Sequence, residues 1–204
     1  LLFDIHGAGG HAARPHEAVD PITAAAHLIQ VLYKFIPRVT DSQDSVVLTV
    51  GRIQGGHNSN VIPDKVELGG TLRTLNADVR KKTLAHIQRL ADGVSHISGA
   101  RIEYRPGVSV PSVVNETEAE RQLEVSAASV LGGANVSAIP RPSMGSEDFA
   151  FYLEKIPGAM FRLGCASDTV GSSGLHTPLF DVDSEALRYG AKILAHAALA
   201  SMME

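Results

Sequence analysis

The chain has a single cysteine, Cys165, in 204 residues. That excludes an internal disulfide and any cysteine-cluster metal site, and it suits a reducing cytoplasm. No apolar run is long enough to cross a bilayer, and no signal-peptide pattern opens the sequence, so no membrane partner is expected. No block of Lys or Arg occurs and the net charge is −4, which argues against nucleic acid as a partner. There is no His-x-x-x-His and no Glu-Glu pair. No initiator Met precedes Leu1-Leu2-Phe3-Asp4-Ile5, a strand-like opening that runs straight into the histidine-bearing loop Gly7 to His16. We therefore expect the chain to be the downstream part of a larger protein.

Nine histidines remain, several of them beside glycine, where backbone can approach a ligand closely. The first half has a readable order. Leu1 to Ile5 is a strand. Val19, Ile22, Ala26, Ile29, Tyr33 and Ile36 recur at helical spacing and predict a core-facing stripe, with Pro21 in the first turn. Ser45 to Ile53 is a Val- and Leu-rich strand, and Val66, Leu68, Gly70 and Leu72 alternate as a half-exposed one. Asn76 or Asp78 can cap a second helix with the face Val79, Thr83, Ile87, Leu90, Val94 and Ile97. Ala100 to Tyr104 closes a β-α-β-β-α-β unit of ferredoxin-like type.

Arg105 to Asn115 holds two prolines and little periodicity, which sets a domain boundary near 112/113. Beyond it the pattern predicts a helix over Glu116–Leu131, a short strand near Asn135–Ala138, a helix capped by Ser146, a strand over Ala159–Leu163 and a last helix from about Ser184 to Met202. These elements read as the tail of an α/β domain whose other strands lie elsewhere.

Four spots could carry chemistry. His11 follows paired glycines and can be presented to a developing oxyanion, although a turn histidine without a role is the commoner case. The loop Gly55 to Asp64, with Asn60, is too long for a tight hairpin. It suits a carboxylate or amide ligand and equally an ordinary polar loop. Arg73, in Gly-Thr-Leu-Arg, can grip a carboxylate in two-pronged fashion, although most strand arginines are simply exposed. His176, in Leu-His-Thr-Pro, is a candidate metal ligand. A zinc site takes three or four ligands, and the residues here do not supply the rest.

Taken in order, Gly-Gly-His-Ala-Ala-Arg-Pro-His-Glu-Ala-Val-Asp-Pro (9–21), Asn-Val-Ile-Pro-Asp (60–64), Gly-Thr-Leu-Arg (70–73), Met-Gly-Ser-Glu-Asp-Phe-Ala (144–150) and Leu-His-Thr-Pro (175–178) resemble a known family. It is the zinc-dependent aminoacylase/carboxypeptidase family, in its branch of N-acyl-amino-acid amidohydrolases and hippurate hydrolases. The resemblance covers essentially the whole chain and implies an α/β metallohydrolase. Residues 1–112 would be its ferredoxin-like lid, also called the peptidase dimerisation domain, and 113–204 the returning end of the catalytic domain. It implies a divalent metal (zinc, or else manganese, cobalt or nickel), a small N-acyl amino acid or peptide as substrate, and a homodimer formed through the lid. By the same resemblance, His11 would stabilise the tetrahedral intermediate, in some dimers in the partner's site. Asn60 and Arg73 would contact the substrate carboxylate, Gly145 and Ser146 would line the pocket, and His176 would be the last metal ligand. The family's remaining ligands and its general-base glutamate come from a His-x-Cys-Gly-His-Asp-type stretch and a Glu-Glu pair that this sequence does not contain. The chain alone should therefore be inactive. A non-catalytic oligomerisation module is the alternative. An RNA-binding ferredoxin-like domain fits poorly, because the strands lack the aromatic pair that stacks on bases.

Overall fold

A computed structural model describes residues 1–202. The elements in chain order are β1 (Leu2–His6), β2 (Gly10–His11), α1 (Pro21–Val39), β3 (Val46–Gly55), β4 (Val61–Ile62), β5 (Lys65–Thr74), α2 (Ala77–Ser98), β6 (Arg101–Arg105), α3 (Thr117–Leu131), α4 (Ala150–Leu153) and α5 (Glu185–Ser201). They fall into two units. One comprises 1–112 with 143–146, and the other 113–142 with 147–204.

In the first unit a four-stranded antiparallel sheet has the order β3-β5-β1-β6. With α1 after β1 and α2 after β5, this is the ferredoxin-like arrangement. Side chains alternate along β1, so Phe3 and Ile5 enter the core while Asp4 takes the opposite face. The core is Phe3, Ile5, Leu28, Leu32, Ile36, Val66, Leu68, Ile87, Ala91, Val94 and Ile102, together with the small residues Ala24, Ala25 and Ala100. Burying each of the large side chains stabilises the fold by roughly 1.5–3 kcal/mol. Asp20 caps α1, its carboxylate accepting from the Ile22 N–H, and Asn76 caps α2 by accepting from Asp78 and Val79.

The buried face of α1 differs from the sequence expectation. Pro21, Ala24, Ala25, Leu28, Leu32 and Ile36 face the sheet, whereas Ile22 and Tyr33 are 44% and 45% exposed. The helix has a broad apolar arc opposite the polar stripe of Thr23, His27, Gln30 and Lys34, so periodicity admits more than one core-facing stripe within that arc. The sheet takes the one in which Ala24 and Ala25 allow close approach. In α2 the expected face holds at Thr83, Ile87 and Val94, with Ala91 buried as well. Ile97, 72% exposed, lies off it.

The edge strand β3 carries two irregularities. A bulge interrupts its pairing with β5 between Val50 and Arg52. Tyr33 Oη, from α1, accepts the Val50 N–H at 2.9 Å.

Asp4 is buried and stands directly opposite Glu67 on one side and Glu103 on the other, which would be repulsive in isolation. Lys65 Nζ lies 2.6 Å from its carboxylate, and Arg105 closes on the other oxygen. The hydrogen bond from Lys65 holds the Asp4 carboxyl below the usual carboxylate range. Burial pushes the other way, and the Arg105 charge adds to the lowering. The folded state therefore keeps Asp4 ionised to lower pH than the unfolded chain does. Its contribution to stability is complete above the unfolded pKa of about 3.9 and is lost as pH falls from there through the lower folded value. Thermal melts taken from about pH 5 down to about pH 2 should show a drop in wild type that Asp4→Asn partly flattens. Parallel curves would remove Asp4 from the explanation.

In the second unit α3 packs on α5. Glu116 caps α3 by accepting from Glu118 and Ala119, and those backbone bonds hold its carboxyl below the usual range. His196 of α5 bridges Ser126 and Ser129 of α3 at 3.2 and 3.3 Å. Three sequence expectations fail in this part of the chain. Asn135–Ala138 is not a strand, because a 3-10 turn at Gly133–Asn135 leads into irregular chain. Ser146 caps no helix, because α4 begins only at Ala150 and spans four residues. Ala159–Leu163 runs without a strand partner, and the Asn115 side-chain amide instead takes both backbone groups of Met160, at 2.9 and 3.0 Å. Among the described residues this unit has no β-strand. Its buried apolar residues are Ala127, Ala150 and Ile193.

No described helix is long and apolar enough to cross a membrane.

Candidate functional site

His11 sits on β2, which pairs with β4 in a ribbon of its own, Gly10 opposite Ile62 and His11 opposite Val61. The spacing alone predicts only a loop over Gly55 to Asp64, because a two-residue strand leaves no periodic signal. The Ala12 N–H donates to the Asn60 carbonyl at 3.0 Å, so the ribbon brings His11 and Asn60 together. The loop before His11 is anchored on two sides. Ala8 and Val19 exchange backbone bonds at 2.9 Å, and the Gly7 N–H donates to the Asp64 carbonyl at 2.8 Å. The Asp64 carboxylate accepts from the Gly9 N–H at 2.8 Å. A Cβ on Gly7 would lie 2.1 Å from the Val19 carbonyl oxygen, which explains glycine there. Nothing in the sequence singled Asp64 out beyond its place at the end of Asn-Val-Ile-Pro-Asp.

The imidazole of His11 is exposed, and its Nδ1 accepts from the Ala13 N–H at 3.0 Å. An accepting Nδ1 keeps its lone pair, so the neutral ring carries its proton on Nε2. The exposed edge of His11 is then a hydrogen-bond donor.

Arg73 lies near the end of β5, half-buried. Its Nη1 donates to the Met144 carbonyl at 2.7 Å and lies 3.5 Å from Ser146 Oγ. Gly145 N–H donates to Ser143 Oγ at 3.0 Å, which shapes the same turn. Arg73, Gly145 and Ser146 are therefore neighbours. They are not neighbours of His11 and Asn60, because β5 begins at Lys65, beside the His11 ribbon, and Arg73 lies eight residues further along it. An extended chain rises about 3.3 Å per residue, which separates the two clusters by on the order of 25 Å.

His176 is exposed and holds a left-handed φ of 63°. Thr177 Oγ1 donates to the Gly174 carbonyl at 2.9 Å in the same turn. Among the described residues no group of three or more His, Cys, Asp or Glu lies close enough to hold a metal ion. These residues alone do not fit a complete metal centre, and His176 could supply at most one ligand of it.

Residues 2–96 match the peptidase dimerisation domain, and that is the class of protein which the ferredoxin-like unit and its histidine ribbon define. The chain is 37% identical over 195 residues to an N-acetylcysteine deacetylase of Bacillus subtilis, covering 96% of this chain and 50% of the relative. It is 35% identical over 203 residues to the Arabidopsis thaliana IAA-amino acid hydrolase ILR1-like 2, covering 98% and 46%. Among solved structures, a dinuclear metal-binding peptidase of the M20 family from Bacillus subtilis superposes with a TM-score of 0.74 at 28% identity, covering 99% of this chain and 50% of that one. The chain thus carries an M20 peptidase dimerisation domain, its curated relatives are hydrolases, and it spans about half the length of those relatives.

Proposed function

We propose that this chain is the lid and the returning end of the catalytic domain of an amidohydrolase that cleaves N-acyl amino acids or small peptides. In this reading 1–112 is the lid and 113–204 the catalytic part. His11 donates from Nε2 to the oxyanion of the tetrahedral intermediate, Asn60 beside it and Arg73 of the partner subunit hold the substrate carboxylate, and Gly145 and Ser146 next to that arginine line the pocket. His176 is one ligand of a divalent metal, zinc by preference. No step is assigned to that metal, because the remaining ligands and the general base are not among these residues. A cytoplasmic setting suits the lone cysteine.

The observation that carries the reading is the separation along β5. A small substrate gripped by Arg73 lies far beyond the reach of His11 on the same lid. Pairing of two lids across a two-fold axis brings the partner's His11 ribbon into play and makes dimerisation a requirement of the chemistry. The exposed apolar residues Ile22, Tyr33, Phe35 and Val39 of α1 and the free edge of β3 offer apolar and backbone surface for that pairing.

The test is complementation, in the form of the enzyme that carries a complete metal site. Assayed at substrate far below KM, His11→Ala and Arg73→Ala homodimers should each be nearly inactive. Mixed and allowed to exchange subunits, they should recover about a quarter of wild-type activity, because half the dimers then hold one intact site. No recovery despite confirmed exchange would place both residues in the same chain's site.

A further inference from the structure

We infer that Asp64 is a positioning residue for His11, acting through the backbone of the glycine loop. The inference rests on the proposed role of His11 as an oxyanion donor. A donor of that kind works only if it is held in place before the charge develops.

The ribbon itself cannot hold His11. It pairs only two residues with two, and so short a ladder is marginal in water. Rigidity has to come from the ties at its base, and Asp64 makes two of them. Its carbonyl takes the Gly7 N–H and its carboxylate takes the Gly9 N–H, both at 2.8 Å. The second bond ends two residues before His11 and involves an ionised acceptor, which makes it the stronger kind. Packing reinforces it. A Cβ added to Gly9 would lie 2.9 Å from both Asp64 Oδ1 and the Ile62 carbonyl oxygen, so the carboxylate rests against the Gly9 backbone. Beyond Gly9 the chain runs through Gly10, paired with Ile62, to His11, whose ring is oriented by the Ala13 N–H. Without the carboxylate, Gly9 and Gly10 are two adjacent residues of high backbone freedom immediately before the histidine. The Asp64 side chain converts that hinge into a fixed arm.

Two measurements test this. The first uses this chain as it is and needs no activity. Long-range proton–nitrogen NMR on the His11 ring should report the Nε2–H tautomer in wild type, averaged tautomers in Asp64→Ala, and the wild-type pattern in Asp64→Asn, whose amide oxygen still accepts from Gly9. An unchanged His11 ring in Asp64→Ala, with the lid still folded by circular dichroism, would overturn the inference. The second uses the form with a complete metal site. Asp64→Ala should lower kcat about tenfold with little change in KM, and Asp64→Asn should restore most of it. In a His11→Ala background Asp64→Ala should cost nothing further. If it costs the same factor there, Asp64 acts elsewhere and the inference fails, while the role of His11 stands. If His11→Ala alone leaves kcat unchanged, the oxyanion reading fails, and the NMR result still decides whether Asp64 positions the ring.

Discussion

Replacing His11 and His176 by alanine should disable the assembled enzyme in two different ways. His11→Ala should keep the full metal content and lower kcat by about a hundredfold or more, the loss typical of removing one oxyanion donor. The structural ground is the accepting Nδ1, which leaves Nε2–H as the exposed donor. A group that bonds only to charge developing in the transition state changes kcat more than KM. His176→Ala should instead lower metal occupancy, and activity should fall with the metal. Asn60→Ala and Arg73→Ala, in their proposed role as ground-state carboxylate contacts, should act mainly on KM. Metal analysis beside steady-state kinetics on all four variants separates these outcomes. Full metal content in His176→Ala, or an unaltered kcat in His11→Ala, would show the two histidines to be wrongly assigned.

The largest effect on stability should come from Phe3→Ala. Phe3 lies on the central strand β1, 1% exposed, and its ring stacks on Tyr104 at 5.0 Å. Truncating a buried phenylalanine costs about 3–5 kcal/mol, because the neighbours collapse only partly into the space left. Tyr104 is poorly placed to compensate. Its hydroxyl is buried without a partner, its pKa is pushed up to about 12 by that burial, and no hydrogen bond anchors the ring once its stacking partner is gone. For a unit of this size the melting temperature should fall by roughly 15 °C or more. Ile97→Ala, on the exposed side of α2, should stay within about 0.5 kcal/mol of wild type. Denaturant titration of both variants checks the contrast, and a Phe3→Ala midpoint close to wild type would mean that the β1 core repacks around the gap.

The lid was legible because local signals and the fold agree there. Val66 and Leu68 alternate with Glu67 where one sheet face is covered, and Asn76 announces α2. The stripe on α1 departs from the one its spacing predicts because a broad apolar arc holds more than one periodic solution. Only the sheet, by accepting Ala24 and Ala25, selects one. In the second unit Ala159–Leu163 has the composition of a strand, but a strand exists only with a partner, and the described residues of that unit provide none. The candidate site divides the same way. His11, Asn60 and Arg73 were visible as residue types in glycine-rich contexts. The opposition of His11 and Val61, the two ties of Asp64 and the gap along β5 are facts of pairing and register, which a single sequence does not encode locally.

The bulged edge of β3 also bears on how the molecule avoids unwanted company. An edge of ten residues rich in Val and Leu is a template on which foreign strands could seed fibres. Cross-β stacking needs about six or seven uninterrupted residues. The bulge after Val50 divides this edge, and the Tyr33 hydroxyl occupies the Val50 amide, so neither remaining stretch reaches that length. The irregularity thus leaves this edge without an uninterrupted run long enough for such stacking, and denies polymerisation a foothold.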